Sequence, residues 1–423
     1  MGPWKLIKLT EARQMAIEAQ KSLPLKTEAV SLREALGRIA AADIASAEDN
    51  PPFDRSMVDG YAVRSIDVET ASIDQPVDLK WVGEVRMGQL SEIKIHEKQA
   101  VRIPTGGMVP IGSDAVVMQE DARSVGDRRI QVVRPVMRCE NIIARGDDAV
   151  AGAVIVNAGC QIGVPDLGVL ASNGTVRILV AKKPAVTVIT TGDEVVSPDL
   201  MPSPGQVRDV NSFTLSALAE TTGCEVVKAH RVPDSLEQLI SALNQALPAS
   251  DLILISGGSS VGDRDYTLAA VKALSGARVL FHGVALKPGK PTLFAMVDDT
   301  AVFGIPGNTV AAMTVFQEIV APALAARQRK KNSEGRFVIQ ARLGACIRPD
   351  PVRDEIFRVV LEQSRNEVVA WPLPAKSGLI TVMTRAQGKI YTKAGQPELQ
   401  SGKLVDVQVL VDRVDGTWQG VAK

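Results

Sequence analysis

The spacing of hydrophobic positions changes character along this chain. TEARQMAIEAQKSLPL sets apolar residues at helical intervals behind Thr10, a side chain suited to capping a helix start. A second, shorter helix is expected over residues 31–41. From about residue 51 to 136 the texture turns to short alternating runs such as VDLKWVGEV and RRIQVVRPV, broken by Gly, Pro and Asp, which predicts a β-rich module. Residues 144–181 add Gly-punctuated turns and the apolar stretch LGVLASNGTVRILV, and Lys182-Lys183-Pro184 reads as a boundary.

The pattern is clearest beyond that boundary. AVTVITTGD is a β-branched run closing on Gly192 and Asp193, as a buried parallel strand would. A helical segment then follows Asn211, which reads as its cap. EVVKAHRV is a second strand, SLEQLISALNQAL a helix after Pro233-Asp234, and DLILISGG a third strand. YTLAAVKALSG is helical, ARVLFHGVAL, PTLFAMV and AVFGIP are strands, and TVAAMTVFQEIVAPALAARQ is a long helix. Strands alternating with helices predict a parallel sheet covered on both faces. KKNSE at 330–334 is a polar linker, and short alternating strands with Gly turns return after it.

Composition narrows the function classes. At roughly 150 residues per domain, 423 residues leave room for several units. Lys plus Arg number 48 and Asp plus Glu number 48, and aromatic residues are 4%. That balance lacks the basic excess and stacking platforms of a nucleic-acid binder. The four cysteines are scattered, with neither zinc-knuckle spacing nor a disulfide framework, and three scattered histidines make a His-rich metal site improbable. No uninterrupted apolar run reaches the ~18 residues of a membrane span. The N-terminal segment reads without the apolar core of a signal peptide. A soluble protein of a reducing, cytoplasmic compartment is expected.

In open α/β sheets, ligands bind outside the carboxyl ends of the strands, and three such ends carry unusual loops. The first is TTGDE, with Thr191, Gly192, Asp193 and Glu194. The second is SGGSSVGDRD, in which Gly257, Gly258 and Gly262 let backbone approach a ligand while Ser259 and Ser260 add hydroxyl donors. The third is GIPGN, where Pro306, Gly307 and Asn308 precede the long helix. Each also has a plain reading as a tight turn or helix cap. ALKPGKPTLFA holds Lys287 and Lys290 around Gly289, two cations able to neutralise a pyrophosphate or oxyanion, or else two solvated lysines on a hairpin. Neither a GxxxxGK[ST] nor a GxGxxG pattern is present. Asp193, Glu194, Asp263 and Asp265 sit beside these anion-friendly loops. A hard divalent cation such as Mg²⁺ would reconcile carboxylates with phosphate; the alternative for Asp263 and Asp265 is helix N-terminal charge. Outside this module, PPFDRSMVDGYAV, RIPTGGMVPIGSDAVVMQED and NIIARGDDAV are dense in Gly, Pro and Asp and read as functional loops.

Taken in order, FDRSMVDGYAV, PTGGMVPIGSDAVVMQED, NIIARGDDAVAG, TGDE, GQVRDVNS, SGGSSVGDRDYT, LKPGKPT, GIPGN, RDEIFRVVL and SGLITVMTRAQG resemble the molybdenum-insertase family, which includes bacterial molybdopterin molybdotransferases and the E domain of gephyrin. The resemblance spans nearly the whole chain. It implies a multidomain α/β plus β fold: a linker or dimerisation domain from residues 1–46 and 146–181, and a β-rich domain over 47–145. A three-layer α/β molybdopterin-binding domain with a parallel sheet follows over 182–329, and a C-terminal β-barrel-like domain over 330–423. It implies insertion of molybdate-derived molybdenum into adenylylated molybdopterin, with AMP released and Mg²⁺ assisting.

By resemblance, Asp59, Asp148, Glu194 and Asp265 are catalytic, with Glu194 and Asp265 also metal ligands. Thr105, Arg353, Arg358 and Ser377 join the loop residues above in substrate binding. A homodimer is implied, with Asp59 and Asp148 reaching across its interface, and the adenylyltransferase that makes the substrate is a further partner. PGNT stands here where relatives usually have PGNP, FDRSMVDGY where FDNSAMDGY is usual, and Thr-Gly-Gly where Thr-Gly-Ala is usual. The competing readings are the adenylyltransferase itself, whose fold resembles residues 185–328 alone, and a non-catalytic gephyrin-like scaffold.

Overall fold

The computed structural model describes residues 6–258, 265–331, 337–364, 367–374 and 378–410. Helix α1 (Leu9–Lys21) buries Leu9, Ala12, Ala16 and Gln20, a 3–4 residue period that gives it one apolar face. Its N-cap is Lys8, so Thr10 lies inside the first turn and does not cap the helix. That face packs into the α/β core with Ile319, Val320 and Ala323. The first helix of the expected 1–46 segment thus packs against the α/β core.

The expected helix over 31–41 is only a 3₁₀ turn, Leu32–Glu34, whose start is fixed by Ser31 and Glu34 bonding one another. The chain is held extended on either side of it. Thr27–Ser31 pairs with Arg177–Ala181, and Ile44–Ala45 with Val154–Val156, both antiparallel. With helix α2 (Val164–Ser172) these distant segments share one small core of Val30, Ala40, Val156, Leu170 and Val180. Between them lies a six-stranded sheet from Gly60 to Val132. Its strands order as 115–118, 60–63, 99–103, 77–84, 129–132 and 122–124.

The central sheet contains β1 (Ala185–Thr191), β2 (Glu225–Val232), β3 (Leu252–Ser256), β4 (Ala277–His282), β5 (Leu293–Val297) and β6 (Thr300–Ile305), in the order β2-β1-β3-β6-β5-β4. Helix α3 (Asn211–Thr221), α1 and the long helix α6 (Thr309–Arg327) cover one face. Helices α4 (Leu236–Ala246) and α5 (Tyr266–Ala273) cover the other. The expected three layers are present, with one strand reversed. β2, β1, β3 and β6 run parallel, while β5 is antiparallel to both β6 and β4. Only Asp298 and Asp299 separate β5 from β6, and so short a loop joins only antiparallel strands. Helix α6 contains a π-turn, Phe316–Val320. It is long and apolar enough to cross a membrane, yet 67% of that stretch is buried in the core.

The C-terminal strands β7 (Val338–Leu343), β8 (Asp354–Ser364), β9 (Glu367–Pro372), β10 (Gly388–Thr392) and β11 (Leu404–Val409) pair in the order β8-β9-β7-β11-β10. β10 pairs back onto β8, closing a five-stranded barrel around Phe357, Val359, Ala370, Ile390 and Val407. The barrel docks through charge. Glu318, in the π-turn and 2% exposed, accepts from Arg13 of α1 at 2.5 Å and from Lys389 of β10. All four cysteines are unpaired.

Candidate active site

β1 is buried along nearly its whole length and delivers Thr190 and Thr191 to the carboxyl edge of the sheet. There a cleft of about 860 Å³ opens. Its walls include Thr191, Gly192, Asp193 and Glu194 after β1, Gly257 and Gly258 after β3, and Pro306, Gly307 and Asn308 after β6. The three strand-end loops singled out in the sequence thus meet in one crevice. Gly378, from the C-terminal unit, also lines it.

Local sequence explains this convergence. Gly257 has φ +106°, and a Cβ there would stand 2.2 Å from the carbonyl oxygen of Thr191, so only glycine lets the first and second loops touch. Thr190 Oγ1 donates to Asp209 at 2.9 Å, and Thr191 Oγ1 to Asp234 at 2.5 Å. The backbone N–H of Asp234 donates to Asp193 at 3.1 Å. Asp209 also accepts from the N–H of Ser212 in the first turn of α3. This carboxylate caps the helix, and Asn211, expected as the cap, turns its amide toward Ser256 and Gly307.

The described lining carries four carboxylates, Asp193, Glu194, Asp209 and Asp234, against one guanidinium, Arg208. Nε of Arg208 donates to the carbonyls of Pro198 and Leu200 at 3.0 and 3.2 Å. Among the described residues, no group of three or more His, Cys, Asp or Glu side chains is placed to hold a metal ion. The donors present are all oxygens, which suits a hard cation bound through one or two carboxylates and completed by ligand phosphates.

Other candidates lie elsewhere. Asp265 is the N-cap of α5, accepting from Leu268 N at 3.0 Å, with its second oxygen 3.0 Å from His282 Nε2. Asp59 and Thr105 do meet, the Thr105 N–H donating to Asp59 at 2.8 Å, but in the β-rich unit. Asp148 accepts from Asn50 at 2.7 Å. None of these four lines the cleft.

The Lys-Pro-Gly-Lys turn faces the barrel. Leu286–Lys287 pairs with the start of β8, and Lys287 Nζ lies 2.9 Å from Glu355 and 3.8 Å from Asp350. Gly289 is required by packing, since a Cβ would stand 2.9 Å from both Leu286 and Val315. The carbonyl of Lys290 accepts from Val284 and Thr292, and the adjacent Pro291 lines the cleft.

Arg353 pairs with Asp350 at 2.6 Å. Burial opposes ionisation of Asp350, but hydrogen bonds from Arg353 and from two backbone N–H groups outweigh it and hold the carboxyl at about 2. Arg358, expected to bind substrate, is 6% exposed and donates to Thr314 of α6 at 2.8 Å. Burial draws its guanidinium down to about 10, with Glu318 acting in the opposite sense. It secures the barrel to the α/β core and does not line the cleft. Ser259, Ser260, Gly262, Asp263 and Ser377 lie outside the described residues.

Arg208, Asp209 and Asp234 were not singled out as site residues, and Asn211 only as a cap. Asp234 had a usable signal, because it follows β2 at the same carboxyl edge as the other loops.

Comparison with known proteins covers nearly the whole chain. Residues 7–174 match the family description "MoeA N-terminal region (domain I and II)", 187–326 "Probable molybdopterin binding domain", and 340–410 "MoeA C-terminal region (domain IV)". A molybdopterin molybdenumtransferase of Staphylococcus aureus is 36% identical over 406 residues, covering 95% of each chain. One from Staphylococcus epidermidis is 31% identical over 389 residues, covering 92% of each. The crystal structure of a molybdopterin biosynthesis MoeA protein from Pyrococcus horikoshii superposes with a TM-score of 0.79 at 31% identity, covering 96% of this chain and 99% of that one.

Proposed function

We propose, from the premise that this chain belongs to the MoeA family of molybdopterin molybdenumtransferases, that the cleft at the carboxyl edge of the central sheet binds adenylylated molybdopterin and releases AMP as molybdenum enters. The chain is a transferase of molybdenum cofactor biosynthesis. The observation that carries the assignment of the cleft is the meeting of the TGDE, Gly-Gly and PGN loops around one crevice.

The chemistry follows from that lining. The start of α6 after Asn308 offers backbone N–H groups and the positive end of the helix dipole to an anion, and Gly257 and Gly258 allow close backbone approach. Thr191, fixed by Asp234, and Asp193, fixed by the Asp234 N–H, hold the TGDE turn in a set orientation. The carboxylates pose the remaining problem. Two like charges ~5 Å apart at an effective dielectric of ~20 repel by ~3 kcal/mol. Mg²⁺ held by Glu194 would neutralise the phosphoanhydride as it is cleaved; Asp265, which caps α5 next to the cleft-lining Tyr266, would reach it as a second ligand only by leaving its present contacts.

A closed homodimer belongs to the same proposal, with Asp59, Thr105 and Asp148 brought to the cleft from the partner. Large apolar side chains exposed on the linker unit support it: Val164 is 72% exposed and Val176 71%. The adenylyltransferase that supplies the substrate is the natural further partner, and the cytoplasm the compartment. The deciding experiment incubates purified protein with adenylylated molybdopterin, molybdate and Mg²⁺. AMP release that requires molybdate is expected. ATP-dependent formation of the adenylylated pterin would assign the adenylyltransferase reaction instead, and neither activity would leave a scaffold.

A further inference from the structure

Asn211 opens α3 and lines the cleft, yet it is 8% exposed. Its Nδ2 donates to Ser256 Oγ and to the carbonyl of Gly307, both at 2.7 Å. The orientation of the amide is forced, because a carbonyl can only accept, so the nitrogen must face Gly307. Ser256 gives its one hydroxyl hydrogen to the carbonyl of Pro306 and therefore accepts from Asn211. Both amide hydrogens are thus committed, one to the end of β3 and one to the PGN turn after β6. The two loops they join are in contact, a Cβ on Gly307 falling 3.5 Å from the Gly257 Cα.

The other end of the amide is different. Oδ1 of Asn211 is buried and accepts no hydrogen bond from the described residues. An unsatisfied acceptor is a standing cost that core residues rarely carry. A smaller polar or an apolar side chain would close α3 without it. What an asparagine supplies here, and a serine or alanine cannot, is a pair of N–H donors aimed at two different loops.

We propose that Asn211 is a positioning residue for the phosphate-facing part of the site, setting the gap between the Gly-Gly loop and the PGN turn. The proposal rests on the functional reading above and deepens it. It concerns how the ligand-facing backbone is held, since Asn211 acts through Ser256 and Gly307 and not on a reacting atom.

Asn211→Asp tests it most sharply, keeping the volume while replacing both N–H donors with a second, charged acceptor oxygen; Asn211→Ala removes the group altogether and controls for the added charge. Amide hydrogen exchange on the ligand-free proteins should rise by about tenfold or more in segments 256–258 and 306–308, and stay unchanged in the barrel. In steady-state assays of AMP release, KM for the adenylylated pterin should rise by about tenfold or more, with a smaller change in kcat. A generally weakened fold would instead raise exchange throughout and leave KM near its original value. Unchanged exchange in both segments, or an unchanged KM, in a folded Asn211→Asp protein overturns the proposal. If wild-type protein neither binds AMP in a titration nor releases it, the functional reading fails by itself, and the exchange comparison alone decides the positioning role.

Discussion

Gly257→Ala is the sharpest structural perturbation the cleft allows. Two costs add at this position. An L-residue held at φ +106° carries about 1–3 kcal/mol of backbone strain. The new methyl would also stand 2.2 Å from the Thr191 carbonyl oxygen, where ordinary contact begins near 3.4 Å, so the first and second loops must part by roughly 1 Å. Overpacking of that kind costs about 1–3 kcal/mol more, for a total of about 2–6 kcal/mol. Because both partners are backbone at the mouth of the cleft, the displacement falls where the ligand sits, and a 1 Å misplacement costs on the order of 100-fold in rate. Urea unfolding and initial rates of AMP release measure the two effects separately. Gly37→Ala is the control, with φ +76° and nothing within 4 Å of the added methyl. It should lose only the backbone share of stability and keep full activity. A Gly257→Ala protein with wild-type stability and wild-type kcat/KM would refute the reasoning.

Glu318→Gln strips a buried carboxylate from beside Arg13 and Lys389. A loss of about 3–5 kcal/mol in chemical unfolding is expected, since uncompensated cations then remain inside; a loss below about 1 kcal/mol would show that the cluster does not hold the barrel. Asp350 supplies a pH test. Its folded pKa of about 2 lies below its ordinary 3.8, so its stabilising contribution is complete above pH ~4 and fades as pH falls toward 2. The destabilisation by Asp350→Asn, on the order of 1–2 kcal/mol at pH 6, should therefore shrink in urea melts toward pH 2.5. A pH-independent difference would show that folding does not hold the Asp350 carboxyl below its ordinary value.

Legibility followed the range of the interactions. The α/β unit was readable because each strand announces itself in a local run, such as AVTVITT or DLILIS, and because ligand loops in such sheets fall at one edge. The reversed strand was not anticipated, although only Asp298, Asp299 and Thr300 separate LFAMV from AVFGIP, too short a link for a parallel crossover. Residues 31–41 misled because Leu36 and Ile39 suit a helical spacing, while the actual constraint is pairing with residues some 140 positions away. Side-chain partnerships were the least visible. Nothing local marks Arg13 and Glu318 as neighbours, nor Asn211 and Gly307.

Lys287 shows how a nearby buried carboxylate fixes where a cation sits. Lys287 and Lys290 were natural candidates for an anion, given their rigid turn and the anionic substrates implied by resemblance. A cation's role, however, is set by the nearest carboxylate it can reach. Glu355 is 2% exposed and lies 2.9 Å from Lys287. Pulling that ammonium toward a ligand would strand a buried negative charge at a cost of about 3–5 kcal/mol. Lys287 is therefore held by the barrel, and its turn serves the cleft by fixing Pro291 in the wall and β8 against the core. On the proposed reading, the described wall of four carboxylates offers an anionic ligand backbone N–H groups and Arg208 as positive complement. Under the proposed function, the carboxylates that repel a free anionic pterin would hold it as the complex of a hard divalent cation.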